Sequence, residues 1–236
     1  MKNVLTYGDI RSSDYDIYIL SSDDEKSTER DIDTVSVAGR NGDLHFDNGR
    51  YLNVTRKYQC YARGNAGVKV PEYIAALMSA FGYQRIEDSL HPDYYKIGEL
   101  SGTISPKFTV YKTGSRFDLE FDCKPQKWLK AGEQEISTST SVKLYNPTLF
   151  DAKPLMYITG SGDLGINSDT VTIAAHDGVM VLDFELGDAY SQSSHANYNQ
   201  YVTLTGNDFP VLTSGENSIV AGGSLSLNII PRWWTL

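Results

Sequence analysis

Apolar and polar residues alternate with period two along most of this chain, the spacing of strands with one buried and one wet face. The alternation is cleanest at Arg116–Cys123, where Phe117, Leu119, Phe121 and Cys123 interleave with Arg116, Asp118, Glu120 and Asp122. A second such region spans Val35–Arg63. There Leu44 and Phe46 share one face, and further on Leu52, Val54, Tyr58 and Cys60 share another. Asn41-Gly42 and Asn48-Gly49 punctuate it, and Asn-Gly supplies the positive-φ residues of a tight hairpin turn. The region therefore predicts three consecutive antiparallel strands, the last one long. Further strands are expected at Val4–Tyr7, Asp16–Leu20, Asp31–Arg40, Tyr94–Leu100 and Lys107–Lys112, the last followed by a turn at Thr113-Gly114-Ser115. Ser21–Arg30, with Asp23, Asp24, Glu25 and Glu29, reads as a solvated loop or an exposed contact loop.

Only one stretch has helical spacing. Pro71 can open a helix without losing a bond, and Ile74, Leu77, Met78 and Phe81 recur as one apolar stripe, with Gly82 as C-terminal cap. So short a helix should pack on the sheet. Residues 131–140 are polar and read as a linker between domains 1–130 and 141–236. Beyond it, strands are expected at Pro154–Thr159, Asp169–Ala174, Val179–Leu186, Gln200–Thr205, Ser218–Val220 and Leu225–Pro231. Breaks separate them, among them Gly160–Gly165, His176–Gly178 and Asp188–Asn199. Short strands at such intervals suggest a β-sandwich.

Composition narrows the function classes. The 236 residues hold 21 basic and 30 acidic side chains, a net charge of −9, which argues against binding nucleic acid by neutralising phosphates. The acidic face of Arg116–Cys123 fits either a channel lining or plain solvent exposure. Cys60 and Cys123 are the only cysteines, and each lies among apolar strand neighbours, so both read as buried free thiols. No charged start followed by an apolar core marks a signal peptide, and no apolar run reaches membrane-spanning length. A reducing cytoplasm is the expected place of synthesis.

The tempting chemistry thins out on inspection. Gly160-Ser-Gly162-Asp-Leu-Gly165 matches the dinucleotide pattern, but a turn and a strand follow it where a helix is required. His45, His91, His176 and His195 have no metal-ligand spacing with Cys or one another; His176-Asp-Gly178 reads first as a hairpin turn. Ser193-Ser194-His195 lacks a nucleophile elbow, and the pairs Asp183/Glu185 and Glu120/Asp122 each share a strand face instead of facing across a cleft. Of Trp233 and Trp234, adjacent in a strand, at most one can line a site; a core residue plus an interface residue is expected. No catalytic, cofactor or metal residue is assigned.

Four segments carry a family resemblance: Ala38-Gly-Arg-Asn-Gly-Asp through Asp47-Asn-Gly-Arg-Tyr-Leu-Asn-Val to Tyr58-Gln-Cys60; Gly82–Tyr95; Tyr145–Pro154; and Ile230–Leu236. In this order they resemble the distal tail proteins of long, non-contractile-tailed bacteriophages, over essentially the whole chain. The resemblance implies a mainly β, non-enzymatic virion protein: an N-terminal β-barrel-like ring domain with one short helix, then a C-terminal galectin-like β-sandwich. It implies a homo-hexameric ring at the distal tail end, assembled in the host bacterial cytoplasm. Its implied partners are the tail-tube protein, the host-facing tail protein and receptor-binding proteins; DNA passes through the ring, and no membrane or cofactor is involved. If residues 35–63 join the subunit contact, Arg40, Arg50 and Tyr51 are the interface candidates. The competing readings are a carbohydrate-binding module, whose glycan signal would depend on Trp233 or Trp234, and a glycosidase, whose turnover one carboxylate change would abolish. No room is left for the inserted sugar-binding module of larger family members, and no lectin motif is present.

Overall fold

The computed structural model describes residues 2–23 and 26–236; Asp24 and Glu25 of the acidic loop lie outside the described residues. The chain forms two compact units, residues 1–127 with 236, and residues 128–235. Among the described residues it is mainly β with one α-helix, and every registered strand pair is antiparallel.

The first unit comprises β1 (Leu5–Tyr7), β2 (Ile10–Arg11), β3 (Ile17–Ser22), β4 (Arg30–Val35), β5 (Leu44–Tyr51), β6 (Val54–Arg63), α1 (Ala66–Ser79), β7 (Gln84–Asp88), β8 (Tyr94–Ser101), β9 (Lys107–Phe108) and β10, which begins at Gly114 and runs to Leu129. Its main sheet has the order β2-β1-β7-β8-β10-β6-β3, with β9 added to β10. The alternation expected at Arg116–Cys123 holds: Phe117, Leu119, Phe121 and Cys123 enter the core with Leu5, Ile17, Tyr58 and Ile86. Burying these side chains releases about 1.5–3 kcal/mol each, which drives the sheet to close over α1.

The helix differs from expectation. It starts at Ala66, five residues before Pro71, and buries Ala66, Val70, Tyr73 and Leu77. Met78 and Phe81 are 72% and 96% exposed, so the buried stripe is rotated from the expected one and shares only Leu77 with its buried set. Pro71 is accommodated inside the helix above Gly67, whose own N–H bonds the Lys112 carbonyl. The cap is Ala80, in extended conformation; Gly82, at φ +72°, bends the chain two residues later.

The meander also differs. The first Asn-Gly pair lies in an eight-residue loop, 36–43, between β4 and β5. The second lies inside β5, where Gly49 at φ +73° makes a bulge: Arg30 pairs Tyr51, yet Ile32 pairs Asp47. The third strand, β6, pairs β3 and β10 and leaves β4 and β5 as a separate two-stranded ribbon. The expected turn at 113–115 falls earlier, closing through Lys112 N–H to the Thr109 carbonyl with Lys112 at φ +54°.

The second unit comprises β11 (Ile136–Thr138), β12 (Ser141–Asn146), β13 (Leu155–Thr159), β14 (Gly162–Ile166), β15 (Asp169–Ile173), β16 (Met180–Asp183), β17 (Asp188–Ser191), β18 (Val202–Leu204), β19 (Gly215–Ala221), β20 (Ser226–Ile230) and β21 (Trp234–Thr235). Two five-stranded sheets, β11-β20-β13-β16-β17 and β12-β19-β14-β15-β18, contribute to one apolar cluster. Residues 131–140 contain β11, registered against β20. The stretches expected as breaks at 160–165 and 188–199 contain β14 and β17.

Candidate functional site

Of the three interface candidates, Arg50 and Tyr51 lie on β5 of the two-stranded ribbon and Arg40 in the loop joining it to β4. The ribbon's register places Val35, Leu44 and Phe46 on one face, with Val35 paired to Leu44 and Asp33 to Phe46. No residue of the ribbon belongs to either core cluster. Phe46 is 55% exposed and Val35 46%, beside exposed Ile32 and Val37. A lone two-stranded ribbon is at best marginally stable in water. Here charged pairs cross the bulge and add a modest contribution, as exposed ion pairs do. Arg50 Nε lies 2.6 Å from Asp31 Oδ2, and Asn48 Nδ2 donates to the other carboxylate oxygen at 3.2 Å. Arg30 pairs with Asp47, and its guanidinium also lies 5.1 Å from the Tyr51 ring centroid. The Gly49 N–H donates to Asp47 Oδ1 at 2.9 Å.

These bonds shift the carboxylates. The hydrogen bonds from Arg50 and then Asn48 hold Asp31 below the usual carboxylate range. The Gly49 N–H, with Arg30 behind it, does the same for Asp47. Arg40 stands apart in the 36–43 loop, exposed, with its backbone N–H on the Val37 carbonyl. So Arg50 and Tyr51 are tied into the ribbon's own lattice, whereas Arg40 has no side-chain partner among the described residues.

The open face of the first unit's sheet is charged in two halves. A cavity of about 520 Å³ is lined by Leu20, Tyr61, Arg63, Lys107, Phe108 and Arg116. Farther along β10 the same face turns acidic at Asp118, Glu120 and Asp122. Glu120 pairs with Lys57 at 2.5 Å and Asp122 accepts from Asn53 Nδ2 at 2.9 Å.

The other candidate chemistry is absorbed structurally. Gly160 and Gly162 have φ of +88° and +148°, and a Cβ would lie 2.2 Å from the Ser224 carbonyl oxygen or 2.3 Å from that of Gly222. The glycine pattern therefore lets two backbones pass closely. Trp233 is in the core; Trp234 stacks on Phe150 at 4.4 Å and donates from Nε1 to the Asp151 carbonyl. Asp183 is held by Arg232, and Glu185 faces Lys153. His91 bonds Asp88, His176 packs on Tyr198 and Tyr201, and His195 on Tyr190. His45 is exposed on β5. Cys60 and Cys123 are buried free thiols, and burial pushes Cys60 up to about 12. Among the described residues no group of three or more His, Cys, Asp or Glu could hold a metal, and no helix is long and apolar enough to cross a membrane.

No family model matches the sequence, and no curated protein matches it. Among solved structures, the Dit (gp 19.1) protein of phage SPP1 superposes with a TM-score of 0.73 over 100% of both chains, at 12% identity. At the level of fold, the chain resembles that hub protein. Its structure is described as a paradigm of the hub adsorption apparatus in phages infecting Gram-positive bacteria. A chain of the activated phage P2 baseplate with calcium matches at TM-score 0.51 and 7% identity, over 97% of this chain and 98% of that one. The strontium form matches at 0.50 and 7%, over 97% of each. The likeness of fold to the SPP1 protein thus extends over both units of the present chain.

Sequence reasoning missed a buried polar group in the first unit. Lys96 is 1% exposed, with Nζ 2.7 Å from Tyr58 Oη and 3.1 Å from Asp88 Oδ2, while Tyr58 donates to the same Asp88 oxygen at 2.9 Å. The one signal was phase: Lys96 and Gly98 occupy the inward positions of β8, where apolar residues would be expected.

Proposed function

We propose that this chain is a structural, non-catalytic hub of a phage tail, closing as a hexameric ring at the distal end. The observation that carries the reading is the end-to-end fold likeness to the SPP1 hub protein, covering 100% of both chains. In this reading, residues 1–130 build the ring and 141–236 form a galectin-like sandwich outside it. The ring joins the tail-tube protein to the host-facing tail protein, offers its outer domain to receptor-binding proteins, and leaves a channel for DNA. The protein then belongs to the virion, after assembly in the host bacterial cytoplasm.

Two features support ring closure. The ribbon exposes Val35 and Phe46 in a unit whose own core it does not join. The main sheet's open face is basic and aromatic at one end and acidic at the other. A head-to-tail contact repeats one pairing of unlike patches and closes when the rotation per subunit is right. Ribbon to neighbour is the contact in which Arg40, Arg50 and Tyr51 would act, Arg40 with its guanidinium available to a partner.

Light scattering over a concentration series tests this. Six subunits of 26.2 kDa give a particle of about 157 kDa. A chain that stays monomeric alone, and also after the tail-tube protein is added, overturns the proposal.

A further inference from the structure

The sheet β11-β20-β13-β16-β17 has a second face. The core row Ile136–Ile229–Met156–Leu182–Ala189 crosses all five strands. One residue along, the register gives Ser137–Asn228–Tyr157–Val181–Tyr190 on the opposite face. The next row on that face holds Ser226 paired with Thr159, then Val179 and Gln192, whose N–H bonds the Val179 carbonyl. Glu135 and Ile230 border the other side. These rows line a groove of about 360 Å³. That volume is at the small end of ligand sites, which run from about 300 to 1,000 Å³.

The polar side chains of the lining are open to solvent and free to bond a ligand: Glu135, Thr159, Gln192 and Ser226 are exposed, Tyr157 and Asn228 half-buried. The side chains of Glu135, Tyr157, Thr159, Gln192, Ser226 and Asn228 make no hydrogen bond to any described residue, though all converge on one groove. Asn228 and Gln192 each offer donor and acceptor atoms, Thr159 and Ser226 offer hydroxyls, and Glu135 accepts only. Tyr157, Val179 and Ile230 supply apolar surface between them. Among the described lining residues, Glu135 is the sole charged side chain, and the nearby Asp183 is already neutralised by Arg232. Nothing there compensates an anion, and an apolar peptide would leave six polar groups unmatched.

We infer that this groove binds a neutral saccharide, a mono- or disaccharide unit without phosphate or acid groups. A sugar ring has apolar C–H faces that suit the Tyr157 ring, and a rim of hydroxyls that both donate and accept. Asn228 and Gln192 address adjacent hydroxyls, and Glu135 accepts from those at the open end. The inference stands on the second unit alone and is independent of ring formation.

The test is saturation-transfer NMR followed by titration calorimetry on the full chain. The probes are glucose, galactose, N-acetylglucosamine and their β-linked disaccharides, with glucose 6-phosphate and sialic acid as charged comparators. The expected result is saturable binding of at least one neutral sugar, weakened at least tenfold by Tyr157→Ala and by Asn228→Ala. Gln192→Ala, at an exposed site, gives a weakening that cannot be ascribed to misfolding. Tyr145→Ala, exposed on the other sheet, leaves binding unchanged. Absence of binding by every neutral probe, preference for the charged comparators, or binding insensitive to all three groove variants would overturn the inference. The subunit mass is read on the same samples, so a failed ring and an empty groove are told apart.

Discussion

The Arg232 guanidinium holds both carboxylate oxygens of Asp183, at 2.8 and 3.1 Å, joining the segment after β20 to the end of β16. Burial is the largest influence on Asp183 and disfavours its charge; Arg232, with the Leu186 and Glu185 N–H groups, outweighs it and holds the carboxyl below its ordinary 3.8. A depressed folded pKa gives stability that is present above pH 3.8 and is lost as pH falls through the folded value. Asp183→Asn should therefore flatten the acid limb of stability against pH. Arg232→Ala should cost about 2 kcal/mol, less than a fully buried pair because Arg232 keeps 26% of its side chain in water. Arg232 also has φ +59°, so Arg232→Gly should be about 1 kcal/mol more stable than Arg232→Ala. Urea denaturation at pH 7 and pH 3 measures all three.

The Lys96, Asp88 and Tyr58 group carries a larger penalty if broken. Lys96→Ala leaves Asp88, 5% exposed, without its cation, and should cost about 3–5 kcal/mol. Replacing both partners with apolar residues of similar size, Lys96→Met with Asp88→Leu, should recover part of that loss, because the desolvation penalty disappears with the charges while the buried Tyr58 hydroxyl and His91 lose their Asp88 partner. A double-mutant cycle in urea settles the coupling; a double variant as unstable as the single one would show that packing, not charge, dominates.

Gly162→Ala should lower stability by about 2–3 kcal/mol, since its Cβ would lie 2.3 Å from the Gly222 carbonyl oxygen and the backbone must move. Neither the parent nor this variant should be stabilised by added dinucleotide, because the glycines space two backbones. Thermal melts with and without added dinucleotide check both statements.

The strands that the alternation revealed are those with one core face: in β6, β13 and the Gly114–Gln126 part of β10 every second residue is buried. The pattern misled where burial does not follow the period. All four residues of β16 are buried, Val181 and Asp183 on the open face, so its end could not be read from hydropathy. The ribbon has the reverse problem: β5 is exposed almost throughout, and its Asn48-Gly49, a turn by local chemistry, became a bulge because Arg30 and Asp31 on the opposite strand bind Asp47, Asn48 and Arg50. The helix stripe failed at Met78 and Phe81, apolar residues that the core does not reach. Lys96 was invisible because a lysine is expected outside, and its burial is made tolerable by partners that the sequence does not place beside it, Asp88 and Tyr58 among them.

Cys60 offers a probe of the first unit's core. Burial pushes its thiol up to about 12 from an ordinary 9.0. A raised pKa in a buried neutral acid gives stability that is full below pH 9.0 and falls as pH rises towards about 12, because only the unfolded chain ionises in that window. Native protein at pH 8 should therefore react with a thiol reagent far more slowly than unfolded chain, and Cys60→Ala should weaken the alkaline fall in stability. Rapid labelling of Cys60 without unfolding would contradict its placement in the core.

The ribbon separates the energetics of folding from those of assembly. Val35 and Phe46 are outside both core clusters and largely in water, so Phe46→Asp and Val35→Asp should change monomer stability by no more than about 0.5 kcal/mol. In a ring they would face the neighbouring subunit, and a carboxylate there would be desolvated without a cation. For the proposed hexamer, the expected outcome is an unchanged unfolding midpoint with the particle reduced to the 26.2 kDa monomer. Arg40→Glu, which touches no described side chain, should act the same way if its guanidinium meets an acidic neighbour, and Arg40→Lys should restore part of the assembly. A hexamer that tolerates Phe46→Asp, Val35→Asp and Arg40→Glu together would move the subunit contact away from the ribbon and onto the charged face of the main sheet.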